Sequence, residues 1–467
     1  MASAACEYMT QINDSSRIKG GTVRNLILSA SVMGLGMHLG AWMARDGAAD
    51  DYVQAQMYAE VARCAEAAKL HALFFADALT NAEEGTDRPS LGALDPTIVL
   101  TAMAAVTQRI GLVGTVSTTY AEPYEVARRI ATLDHLSGGR AGWNSVATFI
   151  PAVAAMFNDR GLPDRSERYG RADEFLRVCF KLWDSWSADA VVGDKDNAVF
   201  AAPDKVHPID HVGEHFQVKG PLPLPRSPQG RPVIFQAGSS EEGRAQAALY
   251  ADVVFTAQHL LADGLEFRGD IRSRAEQYGR DPDHIKVLPG ISLILGETDA
   301  DARERKAQLD RTLGADPELA KLARRVGLSP EVLVLDEPFP EHLLCPDDEF
   351  KGSVGFRRSL VNLARSESMT VRQLIDHYGG GHQQVVGSAN SVADVMEEWF
   401  RAGAADGFNL MVDIVPSGFH LIERLLVPEL QKRGLFHLDY AHTTFRQNLG
   451  LPAEPASAPH LLAEVAS

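Results

Sequence analysis

The chain has 467 residues, 45% of them hydrophobic, and a formal net charge of −17 at pH 7. Such a chain can build one large α/β domain with insertions, or two domains, with a core that needs no covalent staples. The acidic balance argues against nucleic acid and anionic membranes as partners, and the four cysteines (Cys6, Cys64, Cys179, Cys345) lack the spacing of a metal or disulfide framework. Residues 1–24 read as a flexible leader in which Asp14, Arg17 and Lys19 interrupt any signal-peptide pattern. No apolar run reaches the roughly 18 residues of a membrane span, and the cysteine usage makes a reducing cytoplasm the expected compartment. Asn25 to Met37 reads as a first strand ending near His38 and Trp42. Gly34 and Gly36 supply two glycines of a dinucleotide fingerprint, but the third is misplaced and no helix follows at once. Asp51 to Leu70 is an amphipathic helix. Ala72 to Ala76 is a second strand with Asp77 at its tip, Pro96 to Thr107 a helix, and Ile110 to Thr115 a third strand running into Ser117 and Thr118.

The stretch from Pro123 to Thr148 is the best defined. Val126, Ile130, Leu133 and Leu136 recur at helical spacing. Pro123 suits a first helical turn, and Gly138-Gly139 supply the positive φ that ends a helix. Arg140 to Val146 then reads as a strand with a polar tip at Asn144 and Ser145. A partly apolar insertion occupies 147–166, and a helix runs from Arg168 to Trp186. A long Pro/Gly-rich segment covers 187–230, the kind of loop that serves as a lid. Strands follow at 233–236, 252–256 and 286–295, with a helix from Asp299 to Leu313. A second insertion fills about 315–390, followed by a helix at 392–400, an eighth strand at 407–412 and a helix at 419–431. Residues 451–467 read as a flexible tail. Eight short strands alternating with helices predict a single (β/α)8 TIM barrel over 25–450, with insertions at about 147–166, 187–230 and 315–390. A doubly wound open sheet is the runner-up.

In such barrels the chemistry sits at the carboxyl ends of the strands. Those tips carry Asp77, Ser117 and Thr118, Asn144, and Ser239 with Ser240, an array of the kind a flavin needs for its ring edge, ribityl chain and phosphate. The turn at 238–242 opens a helix, and its free N–H groups favour an anion. Ser239 with Glu242 reads equally as a plain capping box, and Glu241 and Glu242 sit poorly beside a phosphate. His207, His211 and His215 are four apart, but Pro208 and Gly213 argue against a helix that would align them on a metal, so an ordered loop is expected and no metal. His38 reads as either a satisfied pocket histidine or a base. GxSxG, HExxH and P-loop GK[ST] patterns are missing, which removes support for hydrolases and nucleotide-triphosphate enzymes.

Longer segments carry a resemblance: F-F-A-D-A-L (74–79), S-T-T-Y-A-E-P-Y (117–124), the stretch ending W-N (143–144), E-R-Y-G-R-A-D-E-F (167–175), K-V-H-P-I-D-H-V-G-E-H-F (205–216), G-P-L-P-L-P-R-S-P-Q-G-R-P (220–232), Q-A-G-S-S (236–240) and G-A-A-D-G-F-N-L (403–410). In these the chain resembles bacterial-luciferase-like flavin monooxygenases, in the branch of nitrilotriacetate, dibenzothiophene-sulfone and pristinamycin-type monooxygenases, over about residues 25 to 450. The resemblance implies a luciferase-like barrel that binds FMN at its C-terminal mouth and uses reduced FMN (FMNH2) and O2. A separate NAD(P)H-dependent flavin reductase would supply the reduced flavin. Carried over by motif, flavin contacts fall on Asp77, Ser117, Asn144, Tyr169, Ser239 and Ser240, the last pair at the phosphate.

Two departures stand out. Arg165 occupies a position, four before Tyr169, where the family usually has histidine; an arginine there can reach the phosphate. After Trp143-Asn144 the family typically reads V-V-T-S and an acidic stretch, whereas Ser145 to Phe157 is largely apolar here, which suggests a small apolar or aromatic substrate. His38 and Asn144 are the catalytic candidates, His38 as a manager of protons. A homodimer or higher homo-oligomer is expected. A deazaflavin-dependent oxidoreductase and a non-catalytic flavin-binding protein are the alternatives.

Overall fold

Short apolar runs that lose water from both faces become parallel strands. In the computed structural model these are β1 (Ile27–Ser31), β2 (Ala72–Phe75), β3 (Gly111–Ser117), β4 (Ala141–Val146), β5 (Val233–Gln236), β6 (Val253–Thr256), β7 (Lys286–Gly296) and β8 (Gly407–Val412). The structure describes residues 24–452 except 81–88, 90, 91, 93, 158–160, 315, 348, 351, 379 and 380. The expected leader up to residue 23 and the tail from 453, with Cys6, lie outside the described residues. Each strand pairs in parallel with the next, and β8 pairs with both β7 and β1. The sheet therefore closes into a barrel, and the open-sheet runner-up is set aside. β1 is shorter than expected. Gly36, at φ +138°, bends the chain against the end of β8, where a Cβ would stand 2.1 Å from the Asp413 carbonyl oxygen.

Around the barrel run α1 (Ala55–Ala67), α2 (Pro96–Ala104), α3 (Pro123–Ser137), α4 (Arg165–Trp183), α5 (Glu241–Tyr250), α6 (Leu261–Gln277), α7 (Asp299–Leu313) and α8 (Ala389–Ala402). In α3, Pro123 sits in the first turn, Val126, Ile130 and Leu133 are buried, and Gly138 ends the helix at φ 68°. Leu136 does not join this stripe and is 64% exposed. At 100° per residue it lies about 80° away from the buried face, which Ser137 completes instead. Among the described residues no helix is long and apolar enough to cross a membrane.

The barrel interior has two levels. Towards the amino ends of the strands, Ile27, Phe74, Val113, Val233 and Phe235 pack with Phe445 from the C-terminal segment. Its ring fits because Gly111 and Gly142 carry no side chain; a Cβ on Gly111 would lie 2.5 Å from that ring. Towards the carboxyl ends the interior turns polar. Ser29 Oγ donates to Asn409 Oδ1, Asn409 Nδ2 donates to Ser31 Oγ, and Asn144 Nδ2 donates to Thr115 Oγ1, each at 2.9 Å.

The insertions are more ordered than expected. The 187–230 segment holds two small hairpins, Val191–Asp194 with Val199–Ala201 and His211–Val212 with Gln217–Val218. The β7–β8 insertion folds into a cap of helices Asp316–Val326, Val354–Ser366 and Val371–His377, with a strand Gln383–Ser388 that pairs with the upper half of β7. Leu322, Val326, Leu360, Leu363 and Leu374 give the cap a core of its own.

Candidate functional site

A cavity of about 870 Å³ opens at the carboxyl ends of β4 and β5. Its walls are the first turn of α4, the turn before α5, residues 145–147, 149 and 151, and residues 350 and 352–355 of the cap. Arg165, Tyr169, Ser239 and Ser240 all line it. The chain comes this close because Gly238 and Gly243 face each other; a Cβ on Gly243 would lie 3.0 Å from Gly238 Cα and from the Tyr169 hydroxyl. Ser240, not Ser239, caps α5: its Oγ accepts from Gly243 N–H at 3.1 Å and lies 3.3 Å from the Tyr169 hydroxyl. The Ser239–Glu242 capping box therefore does not form. Glu241 is turned away onto Arg274, at 2.6 and 3.0 Å, which leaves Glu242 as the one of the two carboxylates on the cavity wall.

Three helix amino ends, those of α4, α5 and Val354–Ser366, border this one space, and Arg165 adds a side-chain cation at the first turn of α4. Unpaired N–H groups and aligned dipoles make such a junction favourable for an anion. Beside it, Ser145 Oγ and Gln236 Oε1 are buried without a hydrogen-bond partner, and so is Asn144 Oδ1 on the preceding residue of β4. Buried polar atoms of this kind are costly unless a ligand completes them. An anionic end beside orphaned donors and acceptors matches the chemistry of FMN, whose phosphate and polar ring and ribityl edges need both.

The remaining expected residues sit elsewhere. Asp77, half-buried at the tip of β2, is not on this cavity's wall; burial, then the nearby Asp95, pushes its carboxyl up to about 6 against the pull of Arg129. The Ser117 hydroxyl is committed: it lies 2.7 Å from Thr148 Oγ1 and accepts from Thr119 N–H at 3.1 Å, tying the end of β3 to the loop after β4. His38 lines a second cavity of about 210 Å³ at the ends of β1, β7 and β8. Its Nδ1 accepts from Gly40 N–H at 3.0 Å, so Nε2 is the nitrogen that carries the proton towards Asp310 Oδ1 at 3.1 Å. His211 and His215 are gathered by Glu174, whose carboxylate meets His211 Nε2 at 2.8 Å and accepts from the backbone N–H of His215 and Phe216 at 2.9 and 3.0 Å. Among the described residues no three His, Cys, Asp or Glu are placed to hold a metal.

Two parts of the large cavity escaped the sequence reading. Arg168, part of the E-R-Y-G-R motif, lies on its wall, where burial lowers its pKa. The other is the cap segment Gly352 to Gly355, whose only signal is a pair of glycines at the start of an amphipathic helix.

Comparison with known proteins agrees with this geometry. The profile of the luciferase-like monooxygenase family matches residues 37–406. Nitrilotriacetate monooxygenase component A of Aminobacter aminovorans is 40% identical over 430 residues, covering 89% of this chain and 94% of that protein. Dibenzothiophene-sulfone monooxygenase of Rhodococcus erythropolis is 38% identical over 430 residues, covering 88% and 93%. The crystal structure of a riboflavin lyase with modified FMN superposes with a TM-score of 0.79 at 30% identity, covering 92% of this chain and 97% of that one. The chain belongs to the luciferase-like monooxygenase family and is a flavin-dependent monooxygenase that works with reduced FMN and O2. A deazaflavin oxidoreductase and a non-catalytic flavin binder are not favoured by these matches.

Proposed function

We propose that this luciferase-like monooxygenase is the oxygenating component of a two-component system, fed with reduced FMN by a separate NAD(P)H-dependent reductase, and that it oxygenates a small apolar or aromatic molecule. The observation that carries this reading is the convergence of three helix amino ends, Arg165, Tyr169, Ser239 and Ser240 on one cavity that also holds orphaned Ser145 and Gln236. When bound, reduced FMN supplies the activation of O2. The chain's own residues bind, orient and keep the site dry. Ser239, Ser240, Tyr169 and Arg165 would hold the phosphate, with Arg168 on the same wall. Asn144, whose Oδ1 is buried without a partner at the end of β4, would meet the flavin, and Asp77 at the tip of β2 would be a further contact. Ser117 acts one step removed, by fixing the loop that carries Thr148.

Apolar residues do the drying. Phe149, Pro151 and Leu162 line the large cavity, and Phe157 stacks on Tyr120 with ring centroids 4.6 Å apart. The apolar substrate reading is supported by the second cavity, where Met37, Ile294, Leu335 and Ile375 give an apolar wall. In the ground state His38 orients its surroundings through Gly40 and Asp310, because both of its nitrogens are engaged. Val191, Val192, Val199 and Phe200 leave an exposed apolar hairpin that a second copy would cover, which supports a homodimer or higher homo-oligomer. Cys64, Cys179 and Cys345 are all free thiols, as a cytoplasmic protein would keep them.

The test pairs calorimetry of FMN and riboflavin binding with a coupled assay that supplies a flavin reductase, NADH and labelled O2. The expected result is tighter binding of FMN than of riboflavin, and one labelled oxygen atom in the product. Lack of affinity for both redox forms of FMN overturns the proposal.

A further inference from the structure

The second cavity is built from both the barrel and the cap. Met37 and His38 after β1, and Ser292 and Ile294 on β7, form its floor. Leu335, Ile375, Tyr378 and Gln384 of the cap form its roof. The roof is docked on the barrel by polar contacts, including His259 Nδ1 to Ser359 Oγ at 2.7 Å and Lys306 to Asp376 at 3.0 Å.

Ionised side chains are plentiful on this wall, yet each has a counter-charge. Lys306 Nζ lies 2.6 Å from Asp310 and 3.0 Å from Asp376. Arg372 forks onto Asp336 at 2.7 and 3.0 Å. Asp413 is held by Arg305, and Lys321 stands 4.0 Å from Glu318. A carboxylate-bearing guest would have to pull Lys306 or Arg372 from partners it already has, and would leave those partners as uncompensated charges. What the wall offers free of cost is apolar surface from Met37, Ile294, Leu335 and Ile375, and two polar atoms that are buried with no hydrogen-bond partner, Gln384 Oε1 and the Tyr378 hydroxyl. Apolar cavities on the order of 150 Å³ take a benzene-sized guest, so about 210 Å³ suits something slightly larger.

We infer that this cavity at the ends of β1, β7 and β8 is the substrate chamber, and that it takes a compact uncharged organic molecule carrying one N–H or O–H donor for Gln384. The inference rests on the monooxygenase reading, deepens it by locating the substrate across the barrel mouth from the phosphate-binding cavity, and excludes polyanions on charge balance. In this assignment Ile375 and Leu335 set the size limit and Gln384 the polarity.

The experiment uses the full chain loaded with FMN and two probes, indole and nitrilotriacetate, followed by calorimetry. Indole is expected to bind and nitrilotriacetate to give no heat. Ile375→Trp fills the chamber and should weaken indole about tenfold or more, while FMN affinity stays within about twofold. Ile294→Phe fills it from the barrel side and serves where the cap variant does not fold. Gln384→Leu should also weaken indole, and weaken N-methylindole no further. Binding of nitrilotriacetate without indole overturns the inference, as does indole affinity untouched by both filling variants, or no indole binding by folded, FMN-loaded protein. Loss of FMN binding by the unmodified chain sinks the monooxygenase reading instead, so the two failures are distinguishable.

Discussion

Arg165 places a solvent-reaching cation at the first turn of α4, among the described residues without an ion-pair partner, where the helix end already attracts an anion. Its worth is electrostatic and partly screened. Arg165→Ala should weaken FMN about tenfold, the low end for a charge-assisted contact, and leave riboflavin unchanged. Fluorimetric titration in rising salt checks this, because the gap between variant and parent should shrink with ionic strength. Asp77 makes a prediction of opposite sign. Its folded pKa, about 6, lies above the unfolded value, so between these values the folded protein keeps a proton that the unfolded chain has lost. The stability from that proton is complete below the unfolded pKa and is lost as pH rises through about 6. Asp77→Asn, lacking the buried charge, should therefore melt above the parent at pH 8 in the flavin-free protein, and thermal melts should show the advantage fading towards pH 5.

Elements with one dominant pattern were legible in the sequence alone. The helix Asp299–Leu313 and the strands Val233–Gln236 and Gly407–Val412 form at the expected bounds, and α3 obeys its Pro123 start and Gly138 stop. Legibility failed where long-range contacts decide. α4 begins at Arg165, three residues before the expected Arg168, with Asp164 in the N-cap position but its side chain making no capping bond. The hairpin at 211–218 has strands of two residues, too short for any periodicity, and is held by one carboxylate of α4. Burial would push the pKa of Glu174 up; the hydrogen bonds from His211 and from the backbone of His215 and Phe216 outweigh this and hold it below the usual carboxylate range. Glu174→Ala would strand those two N–H groups and His211 Nε2, at about 3 kcal/mol in total. A urea titration should show that loss, and limited proteolysis should cut the 205–220 region earlier than in the parent.

At the scale of the whole molecule the two ends of the barrel divide the work. The carboxyl ends carry both cavities, and motif residues such as Ser239 and Tyr169 made that end readable, because a strand tip followed by a helix start is a local pattern. The cap and the closure of the amino end were not readable. The cap's core joins residues from 322 to 378, and the lower plug joins Phe445 to strands more than two hundred residues away. Phe445 fills the space left by Gly111 and Gly142 and stacks on Phe235, with ring centroids 6.1 Å apart, while the next residue, Arg446, forms a buried pair with Asp252 at 2.8 Å. Removing the ring leaves a void that the closed barrel cannot collapse to fill. Phe445→Ala should cost about 3 to 5 kcal/mol, seen as a lower urea midpoint with an unchanged slope. Because the phosphate-binding cavity lies at the opposite end, FMN affinity measured well below the melting temperature should stay within about twofold of the parent. A large loss of FMN affinity in a folded Phe445→Ala protein would mean that the two ends are coupled through the barrel wall, and that the separation of stability from chemistry does not hold here.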